Sequence, residues 1–449
     1  VSLCGTCLAS VPAFVFTREG RVRIKKECGK HGLSEAVLEN DAAYYFLSNK
    51  DKAGRVYAKD RVFDIPSFPG VECCEGGVCG TDVPGTDQMS NKSCTVLVET
   101  TNACNLACPV CYSDAKGDRK LPREAFERYL EDLIKKKGGL DSVQLTGGEA
   151  MMHPDFWQML KFCADHPGIK KVYLPTNGIL LLQKDHAQRL AEHKAKLMVL
   201  LQFDGLSKET DQALRSANLA KTREQVIAKL GELGVFMQLT MTLSHGVNDE
   251  EVGDVIRLAM KHDHVKVVAL QPVTYSGRFD LNAHPTERLT LSDVVKAVVR
   301  QSRRAKDTDF VPIPCSHPNC GWITLFLRRF GMVHNIVQYI DLPKVLDNVA
   351  YKTLLSTDEL KDAVSTQEES GFVKRAIGKL AKGMVRSQDM FTIAIKPFMD
   401  RHSYDQDRVD NCCHHILDTK GNPRSFCEYN AILRQGDPWG EFPKLAKPA

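Results

Sequence analysis

Between residues 96 and 271, short apolar runs alternate with longer stretches of mixed polarity. Six runs, Val96–Thr100, Ser142–Thr146, Val172–Pro175, Leu197–Phe203, Val235–Leu243 and Val265–Gln271, are rich in Val, Leu and Ile and apolar on both alternating faces. That is the pattern of strands buried on both sides, as in parallel sheets. Between them, Arg123–Lys136, Asp155–Ala164, Ala220–Leu233 and Glu250–Lys261 repeat apolar positions at helical spacing. Pro122 and Pro154 suit first helical positions, where the missing N–H costs nothing. The alternation predicts an α/β fold with a partial (β/α)6 barrel over residues 96–310, its chemistry at the carboxyl ends of the strands.

The flanks read differently. Residues 1–40 form a small Cys–His module, 41–95 a Gly- and Cys-rich linker, and 311–449 a second Cys-bearing region with basic amphipathic stretches. No apolar run approaches the length of a spanning helix, and no secretory leader pattern is present, so a cytoplasmic protein is expected. With 43% apolar and 26% charged residues the chain is globular, and a net charge of +4 on 449 residues gives no reason to expect a nucleic-acid partner.

The 16 cysteines change the picture, because they are grouped at short spacings, as metal ligands are. Cys104, Cys108 and Cys111 follow the first strand in a C-x3-C-x2-C pattern. Three thiolates on one loop can hold three irons of a 4Fe–4S cluster and leave the fourth open, whereas a zinc knuckle would want a fourth ligand. Thr146-Gly147-Gly148-Glu149 ends the second strand, offering backbone without side chains and a carboxylate for an ammonium group.

Together these motifs resemble the radical S-adenosylmethionine (SAM) superfamily. The resemblance implies that the open iron chelates SAM and that Gly147, Gly148 and Glu149 hold its amino group. It places Thr176 and Asn177, Gln202 and Asp204, Thr240 and Gln271 along the ribose and adenine. Asn177-Gly178 and Asp204-Gly205 are equally readable as ordinary turns. The chain has Val110 where the family commonly has an aromatic residue before the third cysteine, with Tyr112 just after it.

Cys4, Cys7, Cys28 and His31 make a C-x2-C…C-x2-H set for one tetrahedral metal, zinc or a single iron. Nine further cysteines suffice for two auxiliary 4Fe–4S clusters with one left over. Cys315, Cys320 and Cys427 with one of Cys412 and Cys413 make one set. Cys74, Cys79 and Cys94, completed by the remaining member, make the other, with Cys73 beside them. Cys163 falls on an apolar helical face and reads as core.

Over nearly its whole length the arrangement is similar to the tetraether synthase group. The carrying segments are the N-terminal module, Cys108-Pro-Val-Cys111, Gln271-Pro-Val-Thr-Tyr-Ser-Gly-Arg278, Pro312-Ile-Pro-Cys315 through Cys320, and Cys412-Cys413-His414. The Cys73-Cys74…Cys79 link is less regular than in that group. The resemblance implies joining of unactivated alkyl-chain ends of lipids after hydrogen abstraction by a 5′-deoxyadenosyl radical. Its partners would be a long-chain lipid and an external electron donor of ferredoxin or flavodoxin type. Phe372–Arg386, with five basic residues and no acidic one, suits contact with a membrane surface. Trp322–Leu327 and Met332–Ile340 are expected to line a tunnel, and Arg328-Arg329 to meet a phosphate. The alternative is a radical SAM C-methylase acting on a pterin-type or other small molecule; a third reading is an electron-transfer or maturation protein with a vestigial SAM site. A long apolar channel favours lipid, and a short polar pocket favours the methylase.

Overall fold

The computed structural model describes residues 1–46, 93–281, 285–313, 317–329, 332–337, 389–410 and 412–445. Cys73, Cys74, Cys79, Cys315 and the Phe372–Arg386 stretch lie outside these residues.

The N-terminal module is a three-stranded antiparallel sheet of β1 (Ala13–Arg18), β2 (Arg21–Cys28) and β3 (Gly32–Glu39). The apolar alternation of the middle section then forms the parallel strands β4 (Thr95–Thr101), β5 (Leu140–Gly147), β6 (Ile169–Thr176), β7 (Leu197–Gln202), β8 (Met237–Leu243) and β9 (Val265–Pro272). The intervening helices are α1 (Arg123–Lys137), α2 (Phe156–Asp165), α3 (His186–Ala191), α4 (Lys208–Arg215), α5 (Ala220–Glu232) and α6 (Val252–Lys261), followed by α7 (Leu291–Ser302). Strand and helix limits fall within about two or three residues of the sequence expectation, with α3 and α4 added. Pro122 is the cap of α1 rather than its first residue, with extended ψ of 137°, and Asp155 takes that place for α2.

The sheet does not stop at six strands. The C-terminal section adds β10 (Val311–Pro312), β11 (Trp322–Arg329), β12 (Met332–Asn335), β13 (Met390–Ile395), β14 (His414–Leu417) and β15 (Pro423–Ser425). The order is β10-β11-β13-β9-β8-β7-β6-β5-β4-β14-β15, with β12 on β11. β13 continues the parallel set beside β9, and β14 runs parallel to β4 on the other side. Ile313, just after β10, packs on Cys94 and Cys413, which precede β4 and β14. The two ends of the curled sheet therefore meet at a seam of cysteines.

The main core lies between the strands and the surrounding helices, where Phe126, Leu160, Leu190, Val226 and Ile256 are buried. Cys163 of α2 is fully buried there, as its apolar position implied. Trp322 of β11 points into this layer against Tyr44, ring centroids 5.4 Å apart, while Ile323 and Leu325 face the lumen. Arg328 does not present itself to a phosphate. It is buried, and its guanidinium donates to the carbonyls of Ala259, Asp263 and Val265. It thus closes the end of α6 onto β9, since a buried guanidinium must find acceptors. No described helix is long and apolar enough to cross a membrane.

The N-terminal module is fastened to the barrel through Glu39. Its carboxylate is buried and accepts from the hydroxyls of Thr290 and Ser292, at 2.6 and 2.5 Å, at the start of α7. Burial pushes the Glu39 carboxyl up to about 7 against those hydrogen bonds. A folded-state value raised above the ordinary one binds a proton the unfolded chain has released, so the stabilisation is present at low pH and declines as pH rises to about 7. In chemical denaturation from about pH 5 to about pH 8 the wild type should lose stability relative to Glu39→Gln, the difference between the two isolating this carboxyl from other titrating groups. A difference between the two proteins that stays constant with pH would assign the decline elsewhere.

Candidate active site

The cysteine triplet loop is held by the next strand's end. Gly148 N–H donates to the Thr101 carbonyl at 2.8 Å and Glu149 N–H to the Ala103 carbonyl at 2.9 Å. A Cβ on Gly147 (φ +131°) would lie 2.2 Å from the Thr101 oxygen, and one on Gly148 1.9 Å from that of Ala103. The glycines are therefore required by the approach of the triplet loop, a closer demand than that of a ligand. Cys104, Cys108 and Cys111 are half-buried and all line one cavity. A second clasp pairs Val110–Cys111 antiparallel with Arg278–Phe279.

Glu149 stands at the mouth of that cavity, 2% exposed. Its Oε2 accepts from Thr176 Oγ1 (3.0 Å) and the Asn177 N–H (3.1 Å), while Oε1 is buried with no hydrogen-bond partner among the described residues. Burial pushes this carboxyl up to about 7, and the two donors pull it back. A buried acceptor left open is costly unless a ligand supplies a donor. The residues therefore fit the group expected here: three thiols facing one space, and beside them a carboxylate oxygen awaiting an ammonium. Asn177 also donates to Asn105 Oδ1 of the triplet loop at 2.7 Å and accepts from Ile179 N–H, so it serves the site and the turn together.

Thr176, Asn177, Gln202, Thr240, Thr242 and Gln271 line the cavity as the strand-end reading required. Asp204 does not. It is wholly buried, accepting from Arg215 Nε (2.7 Å) and Nη2 (2.8 Å), Arg223 Nη2 (3.1 Å) and the Thr242 N–H (3.0 Å). Burial disfavours its charge, but the Arg215 and Arg223 guanidiniums outweigh burial and hold its carboxyl at about 2. Asp204 is thus spent on the scaffold, and Arg215 is the member of the pair that reaches the cavity. Arg215 escaped sequence reading because nothing in α4 marks one arginine as inward.

The accessory cysteines fall into three places. The ligand atoms of Cys4, Cys7, Cys28 and His31 lie within 4.8 Å of one another, a ready one-metal site. Cys320, Cys412 and Cys427 all line the main cavity, and the Arg408 Nε–H donates to Cys320 Sγ at 3.4 Å. Cys94 and Cys413 sit together at the seam. Cys413 lines the main cavity as well, so both members of the adjacent pair Cys412-Cys413 reach it, Cys413 also packing beside Cys94. An aromatic group of Tyr112, Phe398, His414 and Phe426, with centroids 4.6 to 6.1 Å apart, fills the space between the triplet and the Cys412 and Cys427 side.

Residues 98–259 match the radical SAM superfamily, and residues 1–40 the HMPTM N-terminal zinc ribbon domain. This chain is a radical SAM enzyme. It is 28% identical to a 7,8-dihydro-6-hydroxymethylpterin dimethyltransferase of Methanocaldococcus jannaschii, across 97% of this chain and 94% of that one. It is 28% identical to a GTP 3′,8-cyclase of Aquifex aeolicus across 51% of this chain and 69% of the other. Among solved structures, a radical SAM methyltransferase from Sphaerobacter thermophilus gives a TM-score of 0.37 at 15% identity, covering 67% of this chain and 76% of that one. The full-length relative carries the name of a pterin methyltransferase and not of a tetraether synthase. Between the two expected functions, the comparisons support the methylase alternative better than lipid coupling. In this radical SAM enzyme the triplet and the Glu149 carboxylate line one cavity, and the ligand atoms of Cys4, Cys7, Cys28 and His31 lie together.

Two substitutions test the geometry. Glu149→Gln keeps the size but removes the charge, and SAM affinity by equilibrium dialysis should fall about 10- to 100-fold. Asp204→Asn leaves two buried arginines short of their counter-charge, and the urea midpoint should report a loss of about 3–5 kcal/mol.

Proposed function

We propose that this radical SAM enzyme forms a carbon–carbon bond at an unactivated carbon of a long alkyl chain held in the barrel lumen, joining the chain ends of lipids. The observation behind this reading is the cavity. It has a volume of about 760 Å³, opens among Cys104, Cys108, Cys111 and Glu149, and continues down the barrel past Leu97, Leu200, Ala269, Val267, Met198 and Leu325. An alkyl chain offers no hydrogen bonds, so its only recognition is apolar surface, worth about 0.8 kcal/mol per buried methylene. The lining is mostly apolar, with Gln144, Gln238 and Thr392 as polar members along the strands, and a mostly apolar wall suits such a substrate.

When bound on the triplet, a 4Fe–4S cluster supplies the electron that cleaves SAM to a deoxyadenosyl radical able to take hydrogen from carbon. The chain's own residues do the rest. Glu149 Oε1 orients an ammonium, the Gly147-Gly148 backbone fixes the triplet loop, and the apolar lumen excludes water and competing hydrogen donors. Cys320, Cys412 and Cys427, which line the same cavity, would hold an auxiliary cluster together with Cys315, which lies outside the described residues. Cys94 and Cys413 would contribute to a second with the linker cysteines. The N-terminal four would hold zinc or iron. A small iron–sulfur or flavin protein would deliver electrons.

The name of the full-length relative favours a second reading, methyl transfer to a pterin-type or other small molecule. Gln271, Thr242 and Lys396 at the upper rim of the cavity could meet a polar ring. Both readings form a carbon–carbon bond, but on different substrates.

Anaerobically reconstituted enzyme given SAM, a reductant and a saturated-chain glycerol lipid decides between them by mass spectrometry. The first reading expects deoxyadenosine and a coupled lipid lighter by two hydrogens. A lipid left unchanged while a hydroxymethylpterin gains a methylene would replace it with the second.

A further inference from the structure

Resting on the reading of the lumen as an alkyl-chain site, we propose that Ala269 and Ala394 determine how long a chain it accepts. In closed α/β barrels the interior is normally filled by bulky branched side chains. Here Ala269 of β9 and Ala394 of β13 are direct register partners, both face the lumen, and Thr240 of β8 extends the same level. One level further from the mouth, Thr392 is the inward residue of β13. The other side of the lumen carries the larger Tyr173 of β6 and Met198 of β7. The open path therefore runs along the β9–β13 wall, where side chains are shortest. Core packing tolerates few voids, and small residues side by side in an apolar interior leave one unless a ligand fills it.

The position of the two alanines gives them control over length. Gln271 and Lys396 lie two residues towards the mouth on the same faces, close to the triplet end, and Val267 two residues towards the far end. From Gln271 to Val267 the strand rises about 13 Å, at about 3.3 Å per residue. A short chain is accommodated above the alanines. A long one has to run along them. Each leucine placed there would add a branched side chain to the lumen wall, whereas the mouth, the triplet and Glu149 would keep their surroundings.

The test uses the full-length enzyme, purified anaerobically, with cis-parinaric acid, an eighteen-carbon fluorescent fatty acid, and octanoate as competitor. The wild type should bind both. Ala269→Leu and Ala394→Leu should weaken parinaric acid binding by about tenfold or more while changing octanoate by less than about twofold. Thr392→Val, equal in shape and less polar, should keep the long probe. Ala269→Val gives a graded effect and serves if a leucine variant fails to fold by its melting curve. Unchanged affinity for the long probe in the alanine variants would overturn the proposal, as would a wild type that does not bind it. Long-chain binding with the expected variant pattern but no coupled product would leave the gauge standing and remove lipid coupling as the reaction.

Discussion

Two backbones in contact organise the molecule. The loop after β4 and the end of β5 approach so closely that Gly147 and Gly148 have no room for a side chain against the Thr101 and Ala103 carbonyls. The hydrogen bonds across that contact carry the cysteine triplet on one side and Glu149 on the other. A displacement of either strand end would separate thiolates from carboxylate. Parallel pairing of β4 with β5, continued to β6, then brings Thr176 and Asn177 to the same rim.

Behind the rim the sheet is braced by charge. Asp204 with Arg215 and Arg223, and Asp211 with Arg223, form a buried network in which every carboxylate has a guanidinium. Such a network adds little net stability compared with an apolar core, but it tolerates no missing partner and permits few alternative packings. It fixes the end of β7 relative to α4 and α5, and turns Arg215 towards the cavity. The active-site rim thus rests on a polar support in which each carboxylate is paired.

The lumen is made by an unusual closure. Six βα units alone leave an open sheet, and β13, β11 and β10 extend one edge while β14 and β15 extend the other. The edges meet where Ile313 packs on Cys94 and Cys413, with Cys320, Cys412 and Cys427 facing the cavity nearby. That contact brings cysteines of the C-terminal section to the cavity. This links the C-terminal cysteines to the shape of the cavity as well as to its chemistry.

Local pattern was enough to recognise the six strands from Val96 to Gln271, the triplet Cys104, Cys108 and Cys111, the Glu149 motif, the Cys4–His31 module and the core position of Cys163. Each of these is a short-range signal, in which neighbours in sequence are neighbours in function. Only the tertiary structure decided that Asp204 serves Arg215 rather than a ligand, that Arg328 caps α6 rather than meeting a phosphate, and that Cys412 and Cys413 both reach the cavity that the triplet lines. It alone set Ala269 beside Ala394 and left a lumen between the walls. Pairing, burial and closure depend on residues far apart in the chain, and side-chain direction at a strand changes with a single step of register.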